Sequence, residues 1–97
     1  AISDACNEYP NWDIYVEGYT DDQKIEPDWQ ELWPSNWELG AARAAAVTRY
    51  MTNWLDMDAT RFAVVSYGPF RPVAENDTAE GRKKNRFVRI VMHRVER

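Results

Sequence analysis

An aspartate, an arginine and an asparagine in this sequence have the chemistry of a site for a small zwitterionic ligand. Asp21 follows a predicted strand, while Asn36 and Arg43 share one side of a predicted helix that is otherwise apolar. A guanidinium costs several kcal/mol to desolvate unless it is paired, so Arg43 should meet a partner in the fold or in a ligand. A carboxylate and a guanidinium beside a helix N-terminus would suit a ligand with both an ammonium and a carboxylate group, such as an amino acid. The alternative is an ion pair between Asp21 and Arg43 that only braces the fold.

Catalytic and metal chemistry have weaker support in the sequence. Asp21 and Asp22 are adjacent, so their carboxylates do not oppose each other across a cleft as glycoside hydrolysis requires. The single histidine, His93, and the single cysteine, Cys6, form neither a nucleophile and base pair nor a metal-binding spacing. We therefore predict no catalytic residue, no metal and no cofactor, with Cys6 as a structural thiol.

The composition is that of one soluble globular domain covering residues 1–97, with 44% hydrophobic and 29% charged residues. A net charge of −4 argues against nucleic acid as a partner, since phosphate binding relies on excess lysine and arginine. The basic cluster at 82–86 is expected to be a solvated loop, except that Arg86 opens a strand and can turn inward. The first ten residues lack the features of a signal peptide, and no stretch has the length and hydrophobicity of a membrane span.

One long helix and three strands would position these residues. Ser35 and Glu38 form a capping box that starts the helix, and the apolar pattern continues to Leu55. The loop from Asp22 to Pro34 is long and anchored by aromatic residues, and loops of this length are often functional. Alternation or β-branched composition predicts strands at Trp12–Glu17, Arg61–Tyr67 and Arg86–His93, a helix tail at Ala1–Glu8, and a short helical turn broken at Gly81.

This order of elements predicts an α+β fold, a small mixed β-sheet with helices packed on one face. The first two strands flank the long helix, so they should be parallel and joined by a right-handed crossover. The last strand should run antiparallel to a neighbour.

Five blocks of residues, in the order in which the family has them, resemble the OmpA-like domain family, and their residues are most similar to those of the MotB branch. The blocks are Val16-Glu17-Gly18-Tyr19-Thr20-Asp21, Ser35-Asn36-Trp37-Glu38-Leu39-Gly40-Ala41-Ala42-Arg43-Ala44, Asp58-Ala59-Thr60-Arg61-Phe62, Tyr67-Gly68 with Arg71-Pro72, and 76–86.

The resemblance implies a non-catalytic module of the Gram-negative periplasm that binds peptidoglycan by gripping diaminopimelate of the stem peptide. It implies that Asp21 of the Thr20-Asp21 motif and Arg43 take the charged ends of the ligand. Asn36 and Leu39 would line the pocket, and Arg86 would support it. Such a module would anchor a larger envelope protein, a flagellar stator protein, a porin or a lipoprotein, to the cell wall.

The chain departs from the family pattern at several positions. Tyr19 replaces the usual histidine, Gly40 stands where serine is common, and the loop at 22–34 is longer than typical, which predicts a changed pocket rim. Relative to the family's βαβαββ core, the first strand and most of the first helix are missing, so we expect an N-terminally truncated domain. An unpaired sheet edge would invite association, which makes a homodimer, or an assembly domain braced by Asp21 and Arg43, the rival hypothesis.

Overall fold

The strand that leads to Asp21 lies at the centre of the sheet. The computed structural model describes residues 12–95, in which the three strands have the order β2-β1-β3. The elements along the chain are β1 (Trp12–Tyr19), α1 (Asn36–Asn53), β2 (Phe62–Gly68), α2 (Ala79–Asn85) and β3 (Phe87–Arg94), with single 3-10 turns at Pro27–Trp29 and Ala59–Arg61. Cys6 and the helix tail predicted for Ala1–Glu8 lie outside the described residues.

The predicted α+β class and strand directions are confirmed. β1 runs parallel to β2, with Ile14 opposite Phe62, and antiparallel to β3, with Tyr19 opposite Phe87. The crossover between the two parallel strands contains α1, as the sequence predicted. The strand β1 continues two residues beyond the predicted end at Glu17, so the chain leaves the sheet directly before Thr20 and Asp21.

The core lies between α1 and one face of the sheet. Ile14 and Val16 of β1 are fully buried, and Ala44 and Met51 of α1 pack in the same cluster, as does Met57. The alternate residues Val88, Ile90 and Met92 of β3 pack against this cluster from the same face of the sheet. Burial of these apolar side chains fixes which face of β1 the helix covers, and therefore where the end of the strand lies relative to the start of the helix.

A pair of glycines brings α1 and β1 into backbone contact. A Cβ atom on Gly18 would collide with the carbonyl group of Gly40, and a Cβ atom on Gly40 would lie 2.5 Å from the Ser66 hydroxyl oxygen. The small residues of the helix, Gly40 and its alanines, predict a close approach to a neighbouring element, and the contact at Gly40 confirms this prediction.

The two ends of α1 follow the sequence to different extents. Ser35 caps the helix, with its hydroxyl oxygen accepting from the backbone N–H of Trp37 at 3.2 Å and donating to the Glu38 carboxylate at 2.5 Å. The helix ends at Asn53, two residues before the predicted Leu55. The helical spacing of the apolar residues also predicts that Trp37 and Trp54 lie on the apolar side of the helix. Both are exposed, so that part of the prediction is wrong.

The short helix α2 corrects the predicted break at Gly81. Gly81 lies within α2, and its N–H donates to the hydroxyl oxygen of the N-cap residue Thr78 at 3.0 Å. A Cβ atom here would collide with the carbonyl oxygen of Glu75, so the glycine serves the close packing of the preceding loop. The sequence pattern treated it as a helix breaker because composition alone does not reveal a tertiary contact.

The other face of the sheet carries a buried carboxylate beside the site. Glu17 accepts hydrogen bonds from the Tyr19 hydroxyl at 2.9 Å and from the Arg89 Nε at 2.9 Å. Burial, followed by the hydrogen bond to Glu17, raises the pKa of the Tyr19 hydroxyl above its ordinary value, and the same carboxylate raises the pKa of Arg89. Tyr19 also stacks on Phe87, with ring centroids 4.3 Å apart. These contacts fix the residue that directly precedes Thr20 and Asp21.

Candidate functional site: a charged groove between α1 and the loop at 22–34

A groove with a cavity volume of about 660 Å³ lies between the end of β1, one side of α1 and the long loop, and we call it the charged groove. All six residues predicted to bind the ligand line it, namely Thr20, Asp21, Asn36, Leu39, Arg43 and Arg86. These residues belong to three separate segments of the sequence, and the fold brings them to one cavity.

Asp21 is held in the groove by two contacts. Its Oδ2 lies 3.2 Å from the Nη1 of Arg86, and its Oδ1 accepts from the backbone N–H of Gln23 at 3.1 Å. The Asp21 side chain is 9% exposed, whereas that of Arg86 is 41% exposed. The expectation that Arg86 turns inward is therefore confirmed, and its guanidinium compensates a carboxylate that would otherwise be costly to bury.

Arg43 is the guanidinium whose charge the fold does not neutralise. Within residues 12–95 no ion pair or hydrogen bond involves its side chain, and Asp21 pairs with Arg86 instead. The alternative prediction of an Asp21–Arg43 ion pair is therefore wrong for the described structure. The reason is the register of β3, which starts at Phe87 opposite Tyr19 and thus carries Arg86 past the end of β1 to Asp21.

Asn36 and Thr20 shape the groove through the backbone. The Asn36 side-chain amide donates to the carbonyl oxygen of Gln23 at 2.9 Å, which ties the loop to the first turn of α1 and leaves the amide oxygen as an acceptor. The Thr20 N–H donates to the carbonyl oxygen of Gly68 at 3.0 Å, and its hydroxyl donates to the carbonyl oxygen of Asp21 at 2.8 Å. Leu39 adds an apolar patch one turn along the helix from Asn36.

The loop at 22–34 forms the opposite wall, as its unusual length predicted for the pocket rim. Sequence reasoning did not assign its residues to the site individually, although Trp29 and Trp33 were recognised as anchors. Their rings stack with centroids 5.7 Å apart, and both line the groove. The further lining residues that the sequence analysis missed are Gln23, Lys24, Ile25, Glu26, Ala42, Ala46 and Arg49.

The groove has a surplus of positive charge although the chain is acidic overall. Lys24, Arg43, Arg49 and Arg86 line it against only Asp21 and Glu26. With Asp21 and Arg86 paired, a ligand that brings carboxylate groups would find uncompensated cations in a partly enclosed cavity, where charges interact more strongly than in bulk water. The groove is thus suited to a small polar ligand whose net charge is negative or whose anionic groups face α1.

Neither a metal-binding cluster nor a membrane-spanning helix is found in the described part of the chain. Among residues 12–95 no group of three or more His, Cys, Asp or Glu side chains could hold a metal ion. None of the helices in the same range has both the length and the apolar character needed to cross a membrane.

Comparison with known proteins identifies the family to which the sequence is similar. Residues 1–86 match the model of the OmpA family. Among curated proteins, the uncharacterized protein YtxE of Bacillus subtilis is 46% identical over 83 residues, 86% of this chain and 33% of the relative. Motility protein B of Bacillus subtilis is 36% identical over 83 residues, 86% of the chain and 31% of the relative. Outer membrane porin F of Pseudomonas aeruginosa is 37% identical over 87 residues, 90% of the chain and 23% of the relative.

Solved structures share the fold. The C-terminal domain of Helicobacter pylori MotB superposes with a TM-score of 0.84 at 29% identity, over 98% of this chain and 70% of that one. The cell wall anchor of the T6SS from Pseudomonas aeruginosa superposes with a TM-score of 0.76 at 35% identity, over 98% of this chain and 62% of that one. The chain thus spans a third or less of the length of these three curated relatives and a larger share of the two solved domains.

Proposed function

Because the chain belongs to the OmpA family, we propose that it is a non-catalytic module that binds peptidoglycan and anchors a larger envelope protein to the cell wall. In this proposal the charged groove grips diaminopimelate of the stem peptide. The observation that carries the proposal is the side chain of Arg43, which lines the same cavity as Asp21 and has no ion pair within residues 12–95.

The proposed roles follow from the charges. Arg43 binds a carboxylate of the ligand, since a guanidinium offers paired donors that match a carboxylate. Asp21 binds the ammonium group, because its two present contacts leave acceptor sites unused on an ionised carboxylate. Arg86 holds Asp21 in place. Diaminopimelate supplies both kinds of group and therefore suits a site of this sign pattern.

Asn36, Leu39 and Thr20 complete the proposed site. The free oxygen of the Asn36 amide can accept from a ligand N–H, and Leu39 contacts the methylene chain that separates the two ends of diaminopimelate. Thr20 holds the corner of the backbone through its bond to Gly68. These residues select the shape of the ligand, while Asp21 and Arg43 select its charge.

The relatives support an anchoring role in the cell envelope. A cell wall anchor of the T6SS and an outer membrane porin are among the proteins that this chain resembles. We propose a periplasmic or cell-envelope location in a Gram-negative bacterium, with a flagellar stator protein as the parent, since MotB domains share the fold.

Co-sedimentation with purified sacculi tests the proposal. Arg43→Ala and Asp21→Asn should each weaken binding by about 10- to 100-fold, the usual loss when a charged hydrogen bond is removed. Lys83→Ala is the matched control, because it removes one positive charge at an exposed position of α2 outside the groove. Full binding by both groove variants would refute the site, and release of soluble muropeptides by the wild type would refute the non-catalytic role.

Dimerisation through an open sheet edge stays a prediction. In the described sheet β2 and β3 are the outer strands, and each pairs only with β1. Sedimentation equilibrium over a range of concentrations would measure the association. A monomer at all concentrations would exclude the homodimer without affecting the binding proposal.

A further inference from the structure

The long loop presents a flat aromatic surface to the groove. Trp29 is 50% exposed even though one side of its ring stacks on Trp33, with centroids 5.7 Å apart and an interplanar angle of 22°. The exposed half of Trp29 is therefore the side turned away from Trp33. Trp29 differs from the other exposed aromatic side chains in that it lines the groove, where a ligand could cover its free face and gain the stabilisation of apolar burial.

Hydrogen bonds within the loop hold this surface in place. The carbonyl oxygen of Trp29 accepts from the backbone N–H groups of Leu32 at 3.1 Å and Trp33 at 2.9 Å, and the Trp29 N–H donates to Glu26 at 2.9 Å. The Gln30 side chain donates to the carbonyl oxygen of Ile25 at 2.9 Å. The two rings are thus ordered before a ligand arrives, which lowers the entropy lost on binding.

The charges around Trp29 narrow the class of ligand group. A cation could bind over an indole ring, but four basic side chains line the groove against two acidic ones, and the proposed function already assigns Asp21 to the ammonium group of the stem peptide. A second cation at Trp29 would therefore be disfavoured. A neutral group with a flat apolar face avoids this repulsion. A pyranose ring has such a face, formed by its C–H bonds, and its edge carries polar groups that Gln23 and Glu26 on the same wall can hydrogen-bond.

We propose that Trp29, supported by Trp33, stacks on a sugar ring of the peptidoglycan glycan strand while Asp21 and Arg43 hold the stem peptide. The charged groove then recognises the junction between peptide and glycan, and an unattached peptide fills only part of it. This inference rests on the proposed function and adds a sugar subsite to it.

The test compares two soluble probes by calorimetry, a disaccharide-peptide muropeptide and the same peptide after an amidase has removed its sugars. Wild type should bind the muropeptide about three- to tenfold more tightly than the free peptide, a range typical of one aromatic stacking contact. Trp29→Ala and Trp29→Leu should lose this preference and bind both probes as wild type binds the free peptide. Trp29→Phe, which retains a flat ring, should keep part of the preference.

Trp54→Ala is the matched control, because Trp54 is 79% exposed and lies at the far end of α1 outside the groove. It should retain the full preference for the muropeptide. The inference is overturned if wild type binds both probes equally, if Trp29→Ala keeps the preference, or if Trp29→Ala weakens both probes alike. Failure of wild type to bind either probe would instead refute the proposed function together with the inference.

Discussion

The Asp21 carboxylate and the Arg86 guanidinium form an ion pair, with Oδ2 and Nη1 3.2 Å apart, that joins two residues far apart in the sequence. Arg86 reaches Asp21 because the next residue, Phe87, begins a strand that pairs with Tyr19. The pair neutralises Asp21 and leaves Arg43, which lines the same groove, without an ion partner within residues 12–95. The proposed function uses this asymmetry between the two arginines, since it leaves the Arg43 guanidinium available to a carboxylate of the ligand.

Removal of Arg86 should affect binding more than folding. The Arg86 side chain is 41% exposed, so its coupling to Asp21 should contribute only about 0.2–1 kcal/mol to stability. A double-mutant cycle of Arg86→Ala and Asp21→Asn, measured by urea unfolding, checks this value. In the sacculus assay Arg86→Ala should weaken binding less than Asp21→Asn does, since Arg86 orients the carboxylate rather than replacing it. Equal losses in the two variants would show that Arg86 contacts the ligand itself.

Substitutions at the two facing glycines should differ in cost. Gly18→Ala forces a Cβ atom against the Gly40 carbonyl group and should destabilise the fold by about 1–3 kcal/mol or more. Gly40→Ala meets mainly the Ser66 hydroxyl oxygen, so the added change Ser66→Ala should relieve it and uncover the better helix propensity of alanine, about 1 kcal/mol. Thermal unfolding of the single and double variants measures the difference. If Ser66→Ala rescued Gly18→Ala equally well, the assigned contact would be wrong.

Asn85 should be essential for the loop before α2. It is 1% exposed; its side-chain oxygen accepts from the N–H groups of Val73 and Ala74, and its amide donates to Ala74 and to Asn76. Asn85→Ala leaves three backbone groups without partners and should cost about 2–4 kcal/mol. Asn76→Ala, which removes only one of these bonds, should cost about 1 kcal/mol in the same urea titration. Similar losses in the two variants would contradict the central role of Asn85.

The pH dependence of stability should report on Tyr19. Its pKa is raised in the folded state above the ordinary value of 10.0, mainly by burial and then by Glu17. The unfolded chain therefore ionises first, and the contribution of Tyr19 is fully present below pH 10 and is lost as the pH rises through the folded-state pKa. Tyr19→Phe should flatten the decline in stability above pH 10, whereas Tyr50→Phe, at an exposed position of α1, should not. Identical profiles for Tyr19→Phe and wild type would contradict the assignment.

Local signals in the sequence were sufficient to predict the helices and strands, but they did not predict the register between the strands. The cap at Ser35 and the apolar spacing of α1 are properties of neighbouring residues, so the start of the helix could be predicted. The partner of Asp21 depends on how β3 aligns with β1, which alternation alone leaves open. The sequence therefore offered Arg43 as the alternative partner of Asp21, whereas the structure pairs Asp21 with Arg86.

The wall of the groove formed by the loop at 22–34 was the other part that could not be predicted from the sequence. Residues 22–34 have no regular period, and their position depends on contacts such as Asn36 with Gln23 that sequence spacing does not reveal. Its length and tryptophans were visible, yet the assignment of Trp29 and Trp33 to a common ring stack needed coordinates. The prediction of a helix break at Gly81 was wrong for a similar reason, because the glycine is needed for its close contact with the backbone of Glu75.

The backbone contact between Gly18 and Gly40 constrains one part of the groove, the residues on β1 and α1, but not the other part, the loop at 22–34. The helix cannot shift on the sheet without a collision, so the charged residues keep their mutual spacing. The loop at 22–34 is braced largely by its own hydrogen bonds and can vary in length and content without disturbing that spacing. Under the proposed function, related domains could keep the same charged residues for the stem peptide while the loop sets the preference for the neighbouring groups of the ligand. Grafting this loop onto another member of the family should transfer that preference.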